Sequence, residues 1–289
     1  MMGFKTPKNL RARLVMSLWR RGQTAESGLL SLLSGAARSI FPALFLLISM
    51  AFPVVSATNT SAVSTAGTTH TVNLPTGIAS GDLLIVFFSK KSGSSNTLTW
   101  PSGWTALTDV NNGTNTGQST AYRIADGTEG TTISVTSSAS VKSAHNSYRI
   151  TSWHGTTPPE GGAGSTGSSA NPDPPSVSPS WGSADNLFLE AASVGSNTSS
   201  SAASTNYTNL LTINSTGGSG GSNQMQASAR HSLTGSTDDP DNAFTISASS
   251  IWASQTIAIR PAGAAFDPST IMGPLALMDS GGFVGSRYV

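Results

Sequence analysis

The phrase aromatic-Thr-x-Leu is written twice, as Trp104-Thr105-Ala106-Leu107 and as Tyr207-Thr208-Asn209-Leu210, 103 residues apart. Asp82 and Asp185 keep the same spacing of 103, and each opens an apolar run, "SGDLLIVFFSKK" (80–91) and "SADNLFLEAAS" (183–193). Three more pairs follow in the same order: "TAYRI" (120–124) with "SAR" (228–230), "TTISVTSS" (131–138) with "FTISASS" (244–250), and "SYRIT" (147–151) with "TIAIRP" (256–261). Their spacing drifts to between 107 and 113, as it does when loops take small insertions. Five features in one order indicate an internal duplication, with copies at 65–155 and 175–262.

Each copy reads as β structure. "LLIVFFS" is a continuous apolar run, the pattern of a strand covered on both faces. "TISVTSS" and "FTISASS" alternate apolar and polar residues, and "TIAIRP" stops at Pro261, which cannot donate a ladder hydrogen bond. No stretch between 58 and 262 sustains a 3.6-residue period. Each copy supplies only about five strands, so the two together match the size of one two-sheet sandwich. The expectation is an all-β, jelly-roll-like sandwich over 58–262, in which neither half folds alone. The repeated phrase then marks equivalent corners, with Trp104 and Tyr207 at least partly buried above Leu107 and Leu210.

Charged residues make up only 10% of the chain, against a usual ~25%. They are unevenly placed: residues 1–57 carry seven basic side chains and one acidic, and the rest carries eight basic and thirteen acidic. The basic arm is followed by the apolar run Ile40–Val55 and by Val55-Ser56-Ala57. The run is short of the ~20 residues that span a bilayer, and its end has the small residues of a signal-peptidase site. Residues 1–57 are therefore expected to be a basic arm plus a signal peptide cleaved before Thr58, or an uncleaved membrane anchor. Translation from Met16 would shorten the arm. The chain has no cysteine, which excludes disulfides, thiol catalysis and cysteine-ligated zinc. A C-terminal extension (263–289) differs in composition, being richer in Met, Leu and Gly.

The phrases "GDLLIVFFSKK", "WPSGWTALTD" and "AYRIADGTEGTTISVT", answered by "NLFLEAASVGS", "NYTNLL" and "DDPDNAFTISASSIWASQTIAIRPA", resemble β-rich virion-associated or tail-appendage proteins of tailed phages and environmental viruses. Related sequences occur among bacterial exported β-sandwich proteins. The resemblance covers residues 65–262. It implies a surface role at a virion or cell, with other surface proteins or glycans as partners, and carries no catalytic residue across.

The chemistry-bearing residues are sparse. No pair among His70, His145, His154 and His231 has the spacing of a helical metal site, and no Gly-x-Ser-x-Gly elbow occurs. Glu129, Glu160 and Glu190, the only glutamates after residue 57, suggest no glycosidase pair. Two acidic loops could hold calcium, one with Asp238, Asp239 and Asp241, the other with Asp109 and Asn111; the same residues are ordinary turn formers. Trp153 and His154 at a loop mouth, with Trp181, are candidates for ligand contact by stacking. The reading is a non-enzymatic extracellular or virion-surface protein with a structural or adhesive role, without nucleic-acid binding. A carbohydrate-binding module, with or without calcium, is the alternative, and a secreted polysaccharide hydrolase comes third.

Overall fold

The structure is a computed structural model that describes residues 51–91, 95–218, 222–241 and 243–263. The basic arm, most of the apolar run, and the extension beyond Gly263 lie outside the described residues. All regular elements among the described residues are strands.

Copy one supplies β1 (Val54–Asn73), β2 (Leu83–Lys90), β3 (Leu98–Thr99), β4 (Thr105–Asn112), β5 (Thr116–Ile124) and β6 (Thr132–Thr151). They form one antiparallel sheet in the order β1-β6-β2-β5-β4, with β3 also on β6. The second sheet holds β7 (Glu160–Gly161) and β8 (Ser165–Ser169), which lie ahead of the expected start of copy two at residue 175, with β9 (Ala184–Val194), β11 (Thr208–Asn214), β12 (Met225–Gly235) and β14 (Ser250–Ile259). Their order is β7-β14-β9-β12-β11, with β8 also on β14. A small pair, β10 (Ser200–Ala202) with β13 (Thr245–Ile246), lies outside this sheet. Each copy thus builds one sheet, and the two sheets pack face to face. The first strand begins at Val54, so residues 54–57 belong to β1, ahead of the expected start at Thr58.

The duplication extends to register. Leu83 faces Ile150 and Ile85 faces Tyr148 in the first sheet; Leu187 faces Ile259 and Leu189 faces Ile257 in the second. The repeated phrase opens the edge strand in both. Thr105 faces Tyr122 and Thr208 faces Arg230, and each ladder then slips, between Ala106 and Thr108 and between Thr208 and Leu211. A bulge of this kind bends an edge strand and increases its twist. The phrase is therefore written twice because it starts a bulged edge strand twice.

The apolar runs of β2 and β9 are buried on both faces, as their continuity implies. Leu83, Ile85 and Phe87 meet Leu187, Leu189, Ile257 and Ile259 between the sheets. Leu84, Val86 and Phe88 point outward into a second core with Val72, Leu74 and Val135. That outer core exists because β1 doubles back. A straight 20-residue strand would span ~65 Å, yet Asn59 Nδ2 donates to Leu74 O at 2.9 Å and Asn73 N donates to Ser61 Oγ at 3.0 Å. The register shifts between Val63 and Thr69 mark the fold. Phe188, Ala192 and Val194 face a corresponding outer core with Tyr207, Phe244 and Trp252. Burying each large apolar side chain contributes about 1.5–3 kcal/mol, and the three cores supply that stability without disulfides.

Trp104 and Tyr207 are half-buried and buried respectively. Leu107 packs between the sheets, whereas Leu210 meets the outer core and Leu211 takes the inner place. The reason is local: Asn209 has a positive φ of 55° inside the bulge, which rotates the chain there.

Part of the interface between the sheets is polar. Ser89 Oγ meets Ser193 Oγ at 2.5 Å, and Gln226 Nε2 donates to Gln118 Oε1 at 2.8 Å. Asn146 Nδ2 donates to Ser228 Oγ at 2.7 Å, and Gln255 Nε2 donates to Thr120 Oγ1. Residues 89 and 193, 118 and 226, 120 and 228, and 146 and 255 are equivalent positions of the two copies by the registers above. The contacts are reciprocal, the mark of an isologous interface such as joins identical subunits. A buried hydrogen bond contributes only about 0.5–1.5 kcal/mol net. An unpaired amide there costs more, so the layer holds the two sheets in one alignment.

Candidate functional site

Face-to-face packing of two equivalent sheets creates two equivalent seams, where an edge strand of one sheet meets the far edge of the other. At the first, β4 lies against β7 and β8. Glycines seal it: a Cβ on Gly161 would sit 2.5 Å from Thr108 Cγ2, and one on Gly164 would land inside the Val110 side chain. Asn112 Nδ2 stitches it further, donating to Gly167 O and Trp252 O at 2.9 Å each.

At the second seam β11 lies against β1. Thr58 faces Tyr148 as Gly161 faces Ile257, so a threonine stands where the sealed seam has a glycine. The ladder of β1 on β6 slips between Val55 and Ala57 here. The result is an open cavity of about 330 Å³, with Val55–Thr58 and Asn209–Leu211 as walls and Tyr148 and Arg230 completing the lining.

Arg230 is the charged group of this cavity. It occupies the position of Tyr122 in the first sheet. Arg230 Nη1 donates to Val55 O at 3.2 Å. With the Asn209 amide oriented so that Oδ1 faces the guanidinium, this oxygen accepts from Nε and Nη2, both at 2.9 Å. The positive φ at Asn209 is tolerated because Asn adopts the left-handed region more readily than other side chains. Arg123 pairs with Asp126 and Glu129, and Arg149 with Asp82. Arg230 has no carboxylate within ion-pair distance among the described residues. Tyr148 is fully buried; burial pushes its phenol above the usual range, while the hydrogen bond to Ser228 Oγ (2.6 Å) pulls the other way. It is a neutral hydroxyl at neutral pH.

The structure places the residues singled out in the sequence elsewhere. Trp153 is buried between the sheets, its Nε1 donating to Gly81 O at 2.8 Å. His154 closes its own loop, Nδ1 accepting from Thr157 N at 3.1 Å. Trp181 packs against the outer core of the second sheet and donates to Asn186 Oδ1 at 2.9 Å. Trp153 and Trp181 thus lie in different cores. Of the calcium candidates, Asp109 pairs with Lys90 at 2.8 Å and accepts from Ser119 Oγ and Asn111 Nδ2. Asp238 is buried, accepts from Tyr207 OH at 2.6 Å and sits 3.1 Å from His231 Nδ1. Asp239 and Asp241 are exposed beside it. Among the described residues no group of three or more His, Cys, Asp or Glu converges as a metal site would.

Other titratable groups are buried outside the seam. His70 and His145 join Ser137, Ser143 and Ser61 in one hydrogen-bonded chain. Burial lowers His70 to about 4 and His145 to about 3, the charge of His70 lowering His145 further. Glu190 replaces the equivalent Val86; burial raises it to about 7, and its Oε2 has no partner. The His231–Asp238 pair has a counterpart in Arg123–Glu129 of the first copy, which marks it as a brace under a corner. A ring stack of Trp100 on Trp104, centroids 6.1 Å apart, lies on the outer core of the first sheet. No protein family, curated protein or solved structure matches the chain.

Sequence reasoning missed the seam. Its signal was the difference between copies, Arg230 against Tyr122 and Thr58 against Gly161, whereas the search for repeats weighs what the copies share.

Proposed function

We propose that this chain is a non-catalytic recognition module with an adhesive role at a cell or virion surface, and that a surface glycan enters its open seam. One observation carries the reading. Two seams equivalent by fold have diverged, one closed by glycine and the other left as a cavity lined by an arginine, an asparagine, hydroxyls and leucines. A volume of about 330 Å³ is at the small end of ligand pockets, ~300–1,000 Å³. Mixed apolar and hydrogen-bonding walls suit one sugar ring, which has apolar C–H faces and a polar rim. The surface setting rests on the resemblance described above and on the apolar run Ile40–Val55 read as an uncleaved anchor, since cleavage before Thr58 would remove Val55–Ala57 from β1 and from the cavity wall.

The test is retention of the full chain on immobilised polysaccharides, neutral and acidic, beside a variant in which Thr58→Trp fills the seam. Thr58 is exposed, so the fold should tolerate the ring. Retention that the variant loses supports the reading. No retention on any polysaccharide, or equal retention by both proteins, overturns it. The Trp100–Trp104 stack offers a second stacking surface, and loss of retention by Trp104→Ala alone would place the glycan there instead.

A further inference from the structure

We infer that the glycan unit held at the open seam is an acidic sugar whose carboxylate is received by Arg230. This rests on the reading of the seam as a glycan site and names the chemistry it selects.

An arginine carries five N–H donors. Val55 O and Asn209 Oδ1 take three of them, leaving two without a partner among the described residues. All of the acceptors it uses are neutral oxygens. The charge is therefore held in place by hydrogen bonds and balanced by no acid among the described residues. Arginine is suited to such a task, because its planar fork matches a carboxylate and loses little freedom when already positioned. Asn209 and Val55 provide that positioning from the two strands that form the seam.

The surroundings favour a sugar acid over other anions. Lys142, the nearest parallel, is a buried cation that donates to Gly217 O and Asn223 Oδ1 and lies outside the lining of this cavity. At the seam Arg230 is the only basic side chain in the lining among the described residues, so the site offers one positive charge, matched to one carboxylate. A phosphate dianion would leave charge uncompensated. Leu210, Leu211 and Val55 offer apolar surface to a ring face, and Thr58 offers a hydroxyl. Simple carboxylates such as acetate would use the arginine and leave the remaining walls empty.

The experiment is calorimetric titration of the full chain with glucuronate, glucose and acetate. Each is run on the wild type and on Arg230→Gln and Arg230→Lys. The inference expects glucuronate to bind at least tenfold more tightly than glucose or acetate. Arg230→Gln should bring glucuronate down to the level of glucose, and Arg230→Lys should lie between. Equal binding of glucose and glucuronate by the wild type overturns the carboxylate assignment while the glycan reading stands. Acetate as tight as glucuronate shows a bare carboxylate site and overturns the sugar assignment. Absence of binding by all three sugars and acids sinks the inference and the glycan reading together. Should Arg230→Gln melt early, the wild type still decides: raising salt from 20 to 500 mM should weaken glucuronate several-fold and spare glucose. A glucuronate affinity indifferent to salt contradicts the ion pair.

Discussion

The two seams of this sandwich join equivalent sheet edges, β4 with β7 and β8 at one and β11 with β1 at the other, yet one is closed and the other open. At the closed seam Gly161 and Gly164 let β4 approach until Thr108 and Val110 fill the space. At the open seam Thr58 stands where the other has a glycine, β1 slips register between Val55 and Ala57, and Arg230 stands where the other sheet has Tyr122. The comparison teaches that duplication fixed the shared core and left the edges free to differ. Residues that must match across the two-sheet interface, such as Gln118 with Gln226, remain alike or complementary. Residues at the seams need satisfy only their own side.

The largest expected effect comes from separating the copies. Each sheet leaves its inner face, including Leu83 and Ile85 or Leu187 and Leu189, for the other copy to cover. Residues 51–155 and 156–263 expressed apart should each lack cooperative unfolding, measured by circular dichroism, and should regain it when mixed. A sharp melt from either piece alone would mean that the seams separate two domains.

Next, the equivalent corners should differ. Tyr207 is 7% exposed and donates to Asp238, whereas Trp104 is half-buried and stacked on Trp100. Tyr207→Ala should cost about 3–5 kcal/mol, as for other buried large aromatics, and Trp104→Ala clearly less. Denaturant titration of both variants checks the order, and equal losses would show that the two corners do the same work.

Much of this fold was legible in the sequence because cores write themselves in repeated patterns. The runs "LLIVFFS" and "NLFLEAAS" gave strands covered on both faces, and the 103-residue spacing gave equivalent edge strands. The doubling back of β1 was not legible, since its cause is a set of bulges between Val63 and Thr69 in a polar run without period. The seam was illegible for another reason. Arg230 lies in the short match "SAR", where only its distant neighbours Val55 and Asn209 show what the guanidinium faces. Glu190, in an otherwise apolar strand, was visible as a strand residue, but its burial depends on the loops that cover the second outer core.

The two outer cores should also titrate with opposite sign. In the first, His70 and His145 are lowered from 6.5 to about 4 and about 3. The unfolded chain takes up protons that the folded one refuses, so this stability is present above pH 6.5 and is lost as pH falls toward 4 and 3. In the second, Glu190 is raised from 4.5 to about 7. The folded state keeps a proton that the unfolded chain has released, so this contribution is full below pH 4.5 and is lost as pH rises through 7. Melting temperature against pH should therefore pass through a maximum between these limits. Glu190→Gln, a neutral isostere, should flatten the upper limb and leave the acid limb. An unchanged upper limb would remove Glu190 from the account.

A smaller effect tests the seams themselves. Gly164→Ala should cost about 1–3 kcal/mol through overpacking against Val110. Thr58→Ala, at an exposed position of the open seam, should stay within about 0.5 kcal/mol. Chemical denaturation of the pair measures the contrast, and a neutral Gly164→Ala would show that the first seam is not tightly closed.

The most direct test of an open, recognising seam beside a closed one is amide chemical-shift mapping of the full ¹⁵N-labelled chain during addition of glucuronate. The account predicts saturating shifts at residues 55–58, 209–211 and 230, with the equivalent residues 105–112 and 160–167 of the closed seam unmoved. Shifts centred on the closed seam, or spread evenly over both, would contradict it.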